Sequence, residues 1–203
     1  DNVKGKIMRC EELMTEASRT KADVTGPARK LDIARTAFAD GHLDEATELL
    51  DEVMAEVEKR LAMYLAAKLL LASKESIELG QANSVDVSSS VSLLSRAKDL
   101  MKQKNYEEAL AVAKQCDREA KDSISAAIIG MTRDLQRLLT DARNVGVDTV
   151  GPEKLAERAA GLAKSGNFVE ALRCIASAKE DINHVKSLSS QAAVEIRVAR
   201  TNL

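Results

Sequence analysis

Two histidines, His42 and His184, and three cysteines, Cys10, Cys116 and Cys174, are the side chains of this chain best suited to hold a metal or attack an electrophile. A metal site inside a helical protein wants paired Glu-x-x-His motifs that project inward, so that several donors converge. The nearest match is Asp181-x-x-His184, and it stands alone. His184 therefore reads as a surface residue, and His42, placed just ahead of a helical run, reads as a helix cap. A nucleophilic thiol needs a base or a cation that favours its thiolate. Cys174 has Arg173 and Lys179 near it in sequence but no nearby His, and Cys116 falls at an apolar core position of a helix. The three cysteines are odd in number, far apart and in no CxxC pair, so neither a disulfide framework nor a zinc site is expected, and free thiols fit a reducing compartment. Gly26-Pro27 and Gly151-Pro152 are turn residues, because no GxxxxGK[ST] or GxGxxG phosphate cradle occurs. The expectation is a chain with no catalytic, cofactor-binding or metal-binding residues, and no enzyme.

Charge narrows the partners. Thirty Lys and Arg against thirty-two Asp and Glu nearly cancel, with no window basic enough to track a phosphate backbone, so nucleic acid is not expected. The row Glu48, Glu52, Glu56 and Arg60 has helical spacing and reads as a solvated face with i,i+4 pairing. The serine runs "SSVSLLS" from Ser89 and "SLSSQ" from Ser187 read as helix-start caps rather than phosphate acceptors. The most apolar stretch, "LAMYLAAKLLLAS" at 61–73, is interrupted by Lys68 and is too short to cross a bilayer, so no membrane insertion is expected. The chain opens "DNVKGK" with neither an initiating Met nor a signal-like run, which reads as a piece of a longer protein with the cytoplasm as its default location.

The elements that must position these residues recur. "GHLDEA" at 41–46 returns as "KNYEEA" at 104–109 and "GNFVEA" at 166–171. Ala34, Ala97 and Ala159 share one offset before it, and Asp23, Asp86 and Asp148 another, at spacings of 63 and then 62 residues. Such a period marks a repeat in which each unit buries its apolar face against a neighbour. Each unit opens with a turn, "DVTGP", "DVSSS" or "DTVGP", which places Pro27 and Pro152 as first helical residues. A short helix follows, over 27–40, 90–102 and 152–164. His42, Asn105 and Asn167 then stand as N-caps, with Glu45, Glu108 and Glu170 three residues on, the spacing of a capping box.

The second helix of each unit is long, 43–79 and 106–144, because no Pro and only Gly130 interrupt it. Ala46, Leu50, Val53, Val57 and Leu61 make an apolar stripe on its first half, and Leu65, Leu69, Ala72 and Ile77 continue along the second. One short helix cannot cover both. The second half of one long helix, the next short helix and the first half of the next long helix would satisfy both as a three-helix bundle. Residues 3–20 supply the missing half-helix at the start. The last long helix, 167–201, should overhang and present Val194, Ile196 and Val198 to a fourth unit or another molecule.

A row of three-helix bundles sharing continuous helices resembles the spectrin-repeat architecture in plan. Separately, A-x-x-L-x-x-x-x-N-Y-E-E-A-L from Ala97 to Leu110 resembles the middle of a tetratricopeptide repeat. Both resemblances imply scaffolding or peptide docking rather than catalysis. The fold expected is all-α, an elongated tandem array of three three-helix bundles: 1–61, 62–125, and 126–203 with its overhanging helix. The function expected is that of a non-enzymatic rod, part of a longer repeat protein, that spaces or docks protein partners, with end-to-end or self association through its last helix. The alternative is a TPR-like, peptide-binding helical solenoid.

Overall fold

The computed structural model describes residues 2–201, and side chains over 2–188 and at 191. The face expected at Val194, Ile196 and Val198 lies outside the described residues. Among the described residues every regular element is an α-helix: α1 (Val3–Arg19), α2 (Thr25–Ala39), α3 (Leu43–Ala82), α4 (Ser88–Lys102), α5 (Tyr106–Asn144), α6 (Val150–Lys164) and α7 (Phe168–Thr201). None of these is long and apolar enough to cross a membrane.

The long helices run unbroken, as the lack of Pro requires, α3 over 40 residues and α5 over 39. The short helices begin two residues earlier than the prolines suggest. The Asp23 carboxylate accepts the Thr25 N–H at 3.0 Å, and Asp148 accepts that of Val150 at the same distance. These Asx turns start the helix ahead of Pro27 and Pro152, which become third helical residues. The position is tolerated because N–H groups of the first turn have no intrahelical partner to lose. The Asp23 carbonyl, which the N–H four residues on would ordinarily approach, instead accepts from the Arg60 guanidinium at 3.1 Å.

The recurring motif ends one helix as much as it starts the next. Gly41, Lys104 and Gly166 have φ of 85°, 62° and 78°, and each donates its N–H to a carbonyl three residues back. The N–H groups of His42, Asn105 and Asn167 reach back five residues, to Ala37, Leu100 and Leu162 at 2.9 to 3.0 Å. This 6→1 and 5→2 pair is the Schellman closure. It corrects the capping-box expectation, because the N–H that the box glutamate would bind is already engaged. Asn167 does accept the Glu170 N–H, at 3.4 Å, whereas the Asn105 amide donates to the Glu108 carboxylate at 2.8 Å.

The chain divides into two compact units, residues 1–77 with 88–119, and residues 78–87 with 120–203. The first holds two cores. One joins Cys10, Leu13 and Ala17 of α1, Leu31 and Ala34 of α2, and Leu50, Val53 and Val57 of α3. The other joins Ala66 of α3, Ala97 and Leu100 of α4, and Ala109, Val112 and Ala113 of α5. In the second unit, Ile124, Ile128, Leu135 and Leu139 of α5 pack with Ala156, Ala159 and Ala163 of α6 and Cys174, Ile175, Ala178 and Ile182 of α7. Alanine at so many contacts lets the helices approach closely, and small and aliphatic side chains with the three cysteines make up most of the interior.

Candidate functional site

The residues suited to chemistry are kept apart. His42 is exposed, with its Nδ1 3.6 Å from Glu45, and His184 is exposed on α7. Among the described residues no three His, Cys, Asp or Glu side chains gather as metal ligands would. All three cysteines are buried and free. The Cys10 thiol points to the Leu50 carbonyl at 3.6 Å and Cys116 to that of Ser90 at 3.2 Å. Burial pushes both thiols up from their ordinary pKa, which suppresses the thiolate. Beside Cys116 the Ser90 hydroxyl is fully buried without a hydrogen-bond partner, and the Ser73 hydroxyl, also fully buried, faces the Cys116 thiol. Ser90 occupies the place of Pro27 and Pro152, and Ser73 that of Cys10 and Leu135.

The charged row on α3 is tied mainly to other elements. Lys30 of α2 meets Glu52 at 3.1 Å and Glu56 at 3.3 Å, and Arg60 reaches back to the Asp23 carboxylate at 3.0 Å. Only the Glu56–Arg60 contact, at 2.8 Å, is the expected i,i+4 pair. The hydrogen bond from Arg60, followed by that from Lys30, holds the Glu56 carboxyl below the ordinary carboxylate range. These contacts fasten α2 and its preceding turn to α3.

Of the two serine runs, the first lies in the opening turn of α4, which starts one residue earlier at Ser88, so Ser89 is inside the helix and not its cap, and its hydroxyl donates to Glu119 at 2.6 Å. The second run lies inside α7, so Ser187 is not a helix-start cap.

One concave feature that sequence reasoning missed lies in the second unit, along α5 and α6. Two adjoining depressions, about 280 Å³ and about 340 Å³, share Thr132, Gln136 and Ala160. The first has an apolar floor and wall from Ile128, Ile129, Ala160 and Ala163, and Arg133 and Lys164 also line it. Ile129 is 56% exposed there. The second ends at Arg143, which pairs with Glu153, and at Glu157. Thr149 also donates to Glu153 at 2.6 Å, and this bond, ahead of the Arg143 contact, lowers the Glu153 pKa. The groove offers apolar surface and fixed charge, and no arrangement of nucleophile and base. No protein-family model, curated protein or solved structure matches the chain.

Proposed function

We propose that the chain is a non-enzymatic scaffold, built as a tandem array of three three-helix bundles of spectrin-like plan, whose faces space or dock partner proteins. One observation carries this reading: the same core positions recur at the 63- and 62-residue spacing. Cys10, Ser73 and Leu135, then Ala34, Ala97 and Ala159, then Ala46, Ala109 and Ala171 are each completely buried. A catalytic centre needs one unique constellation of polar groups, whereas a repeated core spends its sequence on a frame. The thiols, all buried and free, suit a reducing compartment such as the cytoplasm.

Calorimetry tests the non-enzymatic part. Titration of the full chain with Zn²⁺, Fe²⁺ and ATP is expected to give no saturable heat at micromolar concentrations. A stoichiometric isotherm with any of them overturns the reading. The alternative, a TPR-like surface that takes peptides between paired helices, is favoured locally by the depression on α5 and α6.

A further inference from the structure

We infer that the groove along α5 and α6 is a docking site for an acidic amphipathic helix of a partner protein, seated with one bulky apolar side chain over Ala160. The inference deepens the scaffold reading and rests on it.

The groove is written into the sequence as a departure from the period. At the positions of Ala163, Ala160 and Thr132, the preceding units carry Phe38 and Met101, Arg35 and Lys98, and Ile7 and Leu70. Ile7 and Phe38 pack against the core around α1 and α2, and Leu70 and Met101 against the core around α4. Their bulk fills the space between the helices. In α5 and α6 the same positions are cut back to Ala and Thr, and about 280 Å³ stands open. The opposite change occurs on the wall, where Ile129 replaces Lys4 and Ala67 and leaves an isoleucine 56% exposed. Interior bulk has been removed and exterior apolar surface added at one place. Removal alone would leave a cavity that costs stability, and the added isoleucine makes it a surface on which burial is favourable.

Charge and backbone chemistry choose the occupant. Arg133 and Lys164 line the apolar part, and neither forms an ion pair with an acid among the described residues. Carboxylates on the part of the partner helix that lies over the apolar depression would meet both, while Glu157 at the far end faces its uncharged residues. The lining runs along α5 from Ser125 to Arg143, roughly 27 Å at 1.5 Å per residue, which suits a helix of about four to five turns. A strand would find no edge to extend, because the backbone groups of α5 and α6 are spent within their helices.

The test uses the full chain and fluorescein-labelled synthetic helices of about 15 residues, with Leu at i, i+3 and i+7 and flanking Glu, beside a counterpart with Lys for Glu. Fluorescence anisotropy is expected to show saturable binding of the acidic helix, weaker for the basic one by about tenfold or more. Ile129→Lys and Ala160→Met, which restore the residue type or the bulk of the other units, should each weaken the acidic helix by about tenfold or more. Arg133→Glu with Lys164→Glu should reverse the charge preference. Ile129 is exposed, so I129K keeps the test valid even if A160M disturbs folding, and circular dichroism checks both. Absence of binding, equal binding of the two helices, or binding that I129K leaves unchanged overturns the proposal. So does self-association in sedimentation that I129K abolishes, because the occupant would then be a second copy of the chain. Failure in these arms leaves the non-enzymatic reading standing, since that depends on the calorimetry with ions and nucleotide.

Discussion

Lys21, Gly41, Ser84, Lys104, Gly146 and Gly166 follow the ends of α1 to α6, each with φ between 57° and 85°. A residue with a Cβ pays about 1 to 2 kcal/mol to sit there, and glycine does not. Lys104→Gly is therefore expected to raise stability by about 0.5 to 1 kcal/mol, less than the full strain because glycine loses more freedom on folding. Gly166→Ala should lower it by about 1 kcal/mol or more. A Cβ at Gly166 would meet nothing within 4 Å, so that loss is conformational and not steric. Urea midpoints of the two variants against the parent check both signs. From the sequence, Gly26 and Gly151 were legible as turn residues beside their prolines, but the left-handed backbone at Lys104 was not, because lysine carries no mark of it. The capping-box reading failed for a related reason: residue types at the right spacing do not say which way a backbone N–H is already committed.

At the scale of elements, α3 keeps its hydrogen-bond ladder through "LAMYLAAK". Ala67 is exposed in that stretch, so Ala67→Pro removes a backbone bond and clashes with the preceding turn without altering a core contact. A loss of about 3 kcal/mol or more is expected in chemical denaturation, and a loss under 1 kcal/mol would show that the helix is dispensable there. The long helices were legible because nothing in their sequence could stop them. The ion pairs across α2 and α3 were not, since spacing along one helix reveals only partners on that helix, whereas Lys30 and Asp23 come from elsewhere. The α5–α6 groove was hidden in another way: Ala163 looks like an ordinary helix former until Phe38 and Met101 are set beside it.

For the molecule as a whole, near-neutrality leaves acid sensitivity to particular carboxylates. Asp23, Glu56, Glu119 and Glu153 are held below their ordinary pKa, first by the Thr25 N–H, Arg60, Ser89 and Thr149 respectively. A carboxyl whose folded pKa is depressed binds fewer protons folded than unfolded. Its contribution is complete above the unfolded value and disappears as pH falls through the folded one. Stability should therefore be level between pH 6 and 7 and decline below about pH 4.5, and Glu56→Gln should flatten that decline. Thermal melts across this range measure it. The closed helix corners carry a further consequence, for proteolysis. A serine protease takes its substrate as an extended strand, yet Lys21 and Lys104 sit in left-handed bends whose N–H groups are bound to the helix behind them. Two of the chain's exposed basic residues are thus withheld from trypsin in the native state, and cutting at either one reports the opening of its corner rather than the mere accessibility of its side chain.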